Sequence, residues 1–199
     1  MAPDNALHRT QSAAIQRGHF QLESGLHTDV WLELDAWFLD PANLQPQIDA
    51  LANQLQPYAI TAVCGPLVGG AFVAQSLAAL LGVRFYFTER STEPSSSGLF
   101  SAVYRLPAGV RTQAAHESFA VVDDAISAGS STRATVDELN RCGARTVVVG
   151  ALLLLGDRGE RHFMDQSIPV VAAAREELTL WEPRSCPLCQ AGMTVERRA

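Results

Sequence analysis

The sequence predicts an α/β fold with a central, mostly parallel sheet flanked by helices. Three observations lead there. An apolar strand, a helix and a second apolar strand follow one another over 60–88, and the same order returns over 119–155. The last of these strands, Thr146–Leu155, is β-branched and Leu-rich, as a strand covered on both faces must be. A loop of small residues joins one of them to its following helix, the usual ligand-binding position in an open parallel sheet.

Taken in order, Ala13–Arg17 reads as the end of a short helix and Gly18–Thr28 as a loop, followed by a strand at Val30–Leu34. Leu44, Ile48, Leu51 and Leu55 recur at helical spacing after Pro41 and stop near Pro57, which predicts an amphipathic helix with its stripe on the sheet. Next come a strand at Ile60–Cys64, a helix at Gly69–Leu81 and a strand at Val83–Thr88. The segment Ser91–Arg111 is polar and rich in Gly, Ser and Pro around EPSSSG. It predicts a flexible functional loop, with Phe100–Leu106 as a hairpin arm. Phe119–Asp123 is the next strand, and Thr132–Cys142 a helix that turns Val136 and Leu139 inward. Strands at Thr146–Leu155 and Val170–Ala173 and a short helix at Glu176–Leu180 close the core. One domain over 1–199 is expected, with an N-terminal hood segment at 1–40, a core at 41–182 and a tail at 183–199 carrying CPLC.

Composition narrows the function. A net charge of -6 argues against general affinity for nucleic acid, which needs clustered basic residues. The longest apolar run, Val147–Leu155, is too short to cross a bilayer, and the first twenty residues lack the apolar stretch of a signal peptide. A cytoplasmic protein without a membrane partner is expected. All 15 basic residues are Arg and none is Lys, so any step that needs an ammonium group must use a substitute. Cys64, Cys142, Cys186 and Cys189 are too few and too uneven for a disulfide framework.

The motif that carries chemistry is FAVVDDAISAGSST. A buried apolar strand ends in Asp123 and Asp124 and runs through Ala125 and Ile126 into Ser127, Ala128, Gly129, Ser130 and Ser131, which open a helix. Small side chains let backbone N–H groups approach a phosphate, and the helix adds its positive end. The two acids suit sugar hydroxyls or a Mg²⁺ ion instead, because like charges repel. Acid pairs and Ser also end strands and cap helices with no ligand at all; what favours a site is the single order of strand, acids, small-residue loop and helix.

This run resembles the phosphoribosyl pyrophosphate motif of the type I phosphoribosyltransferases, and other segments resemble the orotate phosphoribosyltransferases among them. GHFQLESGLHTDVWLELDAWFLDP, Gly18–Pro41, is similar to that family's amino-terminal segment. GPLVGG, Gly65–Gly70, is similar to its pyrophosphate loop, and GDRGER, Gly156–Arg161, to its DR element near the base. The resemblance implies the type I fold with a small hood over the sheet. It implies that Asp123 and Asp124 hold the ribose hydroxyls, that 125–131 cradle the 5-phosphate, and that Val68, Gly69 and Arg90 serve the pyrophosphate. Ser127, Arg158 and Trp31 would meet orotate. It further implies Mg²⁺ as cofactor, a homodimer with shared active sites, and pyrimidine nucleotide biosynthesis as the setting.

The sequence also departs from the family. A mobile loop there brings Lys over the pyrophosphate, and its pyrophosphate loop has an aromatic-Lys pair where this chain has Val68 and Gly69; Glu23 stands where a Lys precedes SG. Arg90, with Arg105 beyond the loop, is left as the stand-in, able to neutralise charge but not to act as a general acid. Two alternatives therefore stay open: another nucleobase as acceptor, or a weakly catalytic regulatory homologue that binds the donor or a nucleotide. Cys186 and Cys189 have the spacing of half a zinc site, but Cys64 and Cys142 fall in core elements and the five His are scattered. The CPLC motif is accordingly read as a family mark and no protein-held metal is expected.

Overall fold

The computed structural model describes residues 14–92 and 98–198. Its centre is a six-stranded sheet in the order β5-β4-β3-β6-β7-β8. Strands β3 (Ala62–Pro66), β4 (Arg84–Arg90), β6 (Ser118–Ile126), β7 (Arg145–Leu155) and β8 (Val170–Glu176) run parallel. The two-residue β5 (Tyr104–Arg105) pairs antiparallel at the edge of β4.

Alternation along β6 shows why the sheet must be covered twice. Ala120 and Val122 join a core with Leu51, Leu55, Val73 and Leu77, from α1 (Pro41–Leu55) and α2 (Gly69–Leu81). Phe119 and Val121 point the other way, into a core with Val136 and Leu139 of α3 (Ser130–Arg141) and Phe163 of α4 (Arg158–Met164). Both faces being apolar, neither could be left to water. The N-terminus of α1 is capped by Asp40, which accepts from the Ala42 N–H at 3.2 Å, and Pro41 occupies the first turn where its missing donor costs nothing.

A smaller three-stranded sheet forms the hood. β1 (Ala14–Gln21) pairs antiparallel with β2 (His27–Glu33) and parallel with the tail strand β9 (Glu196–Arg197).

Several expectations need correction. Arg17 lies in a strand and not in a helix, and most of Gly18–Thr28 is strand, with a turn only around 22–26; pairing to β2 and β9 overrides the local turn chemistry. Ala13, and residues 93–97 of the expected flexible loop, lie outside the described residues. The Phe100–Leu106 arm contributes only Tyr104 and Arg105 to pairing. No helix forms over 176–180: Glu176 ends β8, and Leu178 packs on the first core from a stretch without regular structure. The helix α4 starts in GDRGER, for which the sequence reading assigns no element.

Candidate active site

The order of the sheet creates the site. From β3 the chain moves outward to β4 and then returns to β6 on the other side of β3, so the loops after β3 and β6 part at the carboxyl ends of two adjacent strands. Ligands bind at such a switch point in open parallel sheets. A crevice of about 460 Å³ opens there, between these loops below and the hood residues Ser24 and Trp31 above.

The floor is built from close contacts. Asp123 is buried at the end of β6 and its Oδ2 accepts from Ser131 Oγ at 2.8 Å and Thr132 Oγ1 at 3.1 Å, binding the acid to the start of α3. Asp124 Oδ1 accepts from the Ala125 N–H at 2.7 Å. Burial, and then the charge of Asp124, hold the Asp123 carboxyl well above the usual carboxylate range; burial also raises Asp124. The loop after β3 lies directly on this pair. A Cβ on Gly69 would stand 2.1 Å from Asp124 Oδ2, and one on Gly65 would stand 2.0 Å from the Gly70 carbonyl oxygen. Only glycine fits at these points.

The small-residue loop turns through Gly129 at φ 76°, a left-handed conformation that opens α3. Ser130 Oγ is buried in this loop with no hydrogen-bond partner among the described residues. A hydroxyl so placed costs free energy unless a ligand engages it. The loop is supported from below by α4, where the Gly159 N–H donates to the Ser127 carbonyl at 3.0 Å and a Cβ would stand 2.7 Å from that oxygen.

Asp123, Asp124, Ala125, the run from Ser127 to Ser131, Val68, Gly69, Arg90 and Trp31 all line this one crevice. Three sequence expectations are placed elsewhere. Ile126 turns into the core beside Phe163; the strict alternation of β6 is lost before its end, since Ala125 packs on the Ala120 and Val122 core and Ile126 on the Phe119 and Val121 core. Arg105 is drawn to Glu138 at 3.5 Å, together with Arg111 and Arg141, and is not in the crevice wall. Arg158 pairs with Glu182 at 3.4 Å beside the crevice. Arg90 pairs with Glu23 at 3.5 Å, and the same carboxylate accepts from Tyr104 Oη at 3.1 Å; burial, then the charge of Glu23, push the Tyr104 phenol up.

A model of the phosphoribosyl transferase domain family matches residues 42–184. The chain belongs to this family. It is 28% identical to an orotate phosphoribosyltransferase of Thermotoga maritima over 94% of this chain and 92% of that protein. It is 30% identical to one of Helicobacter pylori over 92% of each. Solved structures share the fold. The orotate phosphoribosyltransferase of Aeropyrum pernix aligns with TM-score 0.64 at 20% identity, covering 85% of this chain and 90% of that one. The adenine phosphoribosyltransferase of Trypanosoma brucei, in complex with AMP, pyrophosphate and ribose-5-phosphate, aligns with TM-score 0.65 at 18% identity, covering 88% and 82%. The type I fold and a transferase activity are thereby established, and among the described residues no helix is long and apolar enough to cross a membrane.

Sequence reasoning missed two features of this phosphoribosyltransferase. Arg198, from the tail, lines the crevice with its guanidinium 5.7 Å from the Trp31 ring and 2.6 Å from Glu33 Oε1. No local signal marks it, since only the β1–β9 pairing carries the tail there. The histidines are also not all scattered: His19 and His27 meet Cys186 and Cys189 behind the hood, where an antiparallel turn and the returning tail bring distant residues together.

Proposed function

We propose that this phosphoribosyltransferase transfers ribose 5-phosphate from phosphoribosyl pyrophosphate to a ring nitrogen of orotate. The bond from the anomeric carbon to the diphosphate oxygen breaks and its electron pair leaves with pyrophosphate. A carbon–nitrogen bond forms, and the proton displaced from that nitrogen passes to solvent.

The observation that carries the reading is the Ser130 hydroxyl, without a partner among the described residues and buried in a loop of small residues whose helix begins beside an acid pair. Such a loop offers hydrogen bonds to a 5-phosphate, and Asp123 and Asp124 offer acceptors to the ribose hydroxyls. A sugar developing positive charge needs positioning and a negative field more than a nucleophile, and the acid pair supplies that field. Arg90, which lines the crevice beside Glu23, is the cation assigned to the leaving group in this reading.

Mg²⁺ fits the donor set, because Asp123 and Asp124 present hard carboxylate oxygens and are too close to carry two unneutralised charges comfortably. Bound with the donor's diphosphate, it would offset the charge of the leaving group. The orotate assignment is supported by the names of the sequence relatives and by the carboxylate-binding chemistry proposed for Arg158, which lies beside the crevice that Ser127 and Trp31 line. A homodimer is part of the same proposal, as a second subunit would complete the loop side of the site.

A second reading, another nucleobase as acceptor, is favoured by the engagement of Arg158 with Glu182. Pyrophosphate release with magnesium, donor and a panel of bases separates the two. Release with orotate alone is expected; turnover with a purine in place of orotate would replace the acceptor.

A further inference from the structure

From the four side chains behind the hood, we infer that His19, His27, Cys186 and Cys189 form a tetrahedral zinc site that fastens the amino-terminal hairpin to the tail. The ligand atoms all lie within 4.8 Å of one another, although the residues come from two ends of the described chain.

The backbone brings them together by identifiable means. The register of β1 on β2 shifts by one residue between Arg17 and Phe20, so one extra residue is accommodated at Gly18–His19. Side chains alternate along a strand, so without that bulge His19 and His27 would lie on opposite faces of the hairpin; with it they share one. On the other side, Cys186 precedes a single helical turn, Pro187–Gln190, that contains Cys189, the C-x2-C spacing of a metal knuckle. The tail is registered on the hairpin by a pair of backbone hydrogen bonds between His27 and Trp181, at 2.8 and 2.9 Å.

The distances suit the metal. Zinc with Zn–N of about 2.0–2.1 Å and Zn–S of about 2.3 Å in a tetrahedron requires roughly 3.3 Å between nitrogens and 3.6 Å between nitrogen and sulfur. His19 Nε2 lies 2.9 Å from His27 Nδ1, 3.5 Å from Cys186 Sγ and 3.6 Å from Cys189 Sγ, while His27 Nδ1 lies 3.3 Å from Cys189 Sγ. His19 Nδ1 lies 3.0 Å from the Met193 carbonyl oxygen, to which its N–H donates. That bond leaves the Nε2 lone pair facing the cluster, the outer-sphere arrangement that orients metal-binding histidines. Two thiolates and two imidazoles select a borderline-soft ion and exclude magnesium and calcium.

The site goes beyond the transferase reading and does not depend on it. Its consequence would be structural: Ser24 and Trp31 on the hairpin, and Arg198 on the tail, all face the crevice, and a zinc clasp would fix them as one wall.

The test is elemental analysis of the full chain purified without chelator. About one zinc per chain is expected, as for a single four-ligand site, with near-complete loss in Cys189→Ser and in His27→Gln and full retention in His116→Gln. Should a variant fail to fold, the wild-type chain stripped with a chelator, shown folded by circular dichroism and titrated with Co²⁺, gives an independent readout. Intense tetrahedral d–d bands with a thiolate charge-transfer band support the site. Folded wild-type protein that holds no zinc and gives only the weak spectrum of octahedral cobalt overturns it, as does unchanged zinc content in folded Cys186→Ser/Cys189→Ser protein. None of these readings requires turnover, so failure of the acceptor assignment leaves them intact.

Discussion

Gly70 and Asp123 are packed so closely that a methyl group on the glycine would stand 2.6 Å from Oδ1 of the acid and 2.7 Å from Cδ of Pro66. The loop after β3 and the end of β6 therefore act as one surface, and the acid cannot move without the loop. Gly70→Ala should cost about 1–3 kcal/mol through overpacking, felt where the donor binds. At least a tenfold fall in kcat/KM for phosphoribosyl pyrophosphate is expected by steady-state assay. An unchanged value would separate the loop from the site.

Reinstating the family's lysine should not repair the chain. In Gly69→Lys the new Cβ would meet Asp124 Oδ2 at 2.1 Å and Cγ at 2.5 Å, so this half-buried acid must be displaced before any ammonium reaches the crevice. Activity lower than wild type is expected, together with a reduced melting temperature. The Lys-free loop and the tightly seated Asp124 are thus one design.

The acid pair should trade stability for function. Burial raises both carboxyl groups in the folded chain, so the stability they contribute is fully present below the ordinary aspartate value and is lost as pH rises through the raised folded values. At neutral pH the pair is therefore a net cost. Asp124→Asn removes one charge of the pair and should stabilise the protein at pH 7–8 by roughly 0.5–2 kcal/mol while nearly abolishing transfer. For a chain of this size each kcal/mol moves the melting temperature by about 2–4 °C, which differential scanning fluorimetry resolves. Wild-type donor affinity should also weaken as pH falls through the raised values, because protonated acids lose the negative field the donor requires.

Glu138 should matter for stability rather than for the chemistry. It is buried on α3, accepts from the Leu106 N–H at 3.1 Å and pairs with Arg141 at 2.7 Å, with Arg105 and Arg111 each at 3.5 Å. The arginines are part-exposed, so solvent screens much of their share. Glu138→Ala strands the buried Leu106 N–H and leaves part-exposed cations that water can solvate, and about 1–3 kcal/mol should be lost in urea unfolding. Glu138→Gln keeps an acceptor for Leu106 and should lose less than half as much.

Much of this was legible in the sequence for a physical reason. Core elements such as the helix at Gly69–Leu81 and the long strand ending at Leu155 are specified by their own apolar pattern, and the run at 121–132 reaches the crevice by local order alone. The first strand of the hood was not legible, because β1 becomes a strand only by pairing with β2 and with a tail strand whose Glu196 lies opposite Phe20. Arg198 and the His19–Cys189 cluster depend on that pairing, whereas Arg105 is drawn to Glu138 of α3, whose burial no local signal marks.

Arg158 carries the last prediction, since its proposed grip on the acceptor competes with a contact already made. Its guanidinium is 3.4 Å from Glu182 Oε1, a pair with both partners part-exposed and therefore weak enough to exchange for a ligand carboxylate. A guanidinium–carboxylate hydrogen bond is worth about 1.5–3 kcal/mol, so Arg158→Ala should raise the KM for orotate by at least tenfold with little change in the KM for the donor. Glu182→Gln should do the opposite, lowering the orotate KM by removing the competitor. If Arg158→Ala leaves the orotate KM unchanged while Arg198→Ala raises it, the carboxylate is gripped from the tail side of the crevice, where Arg198 already sits beside Trp31.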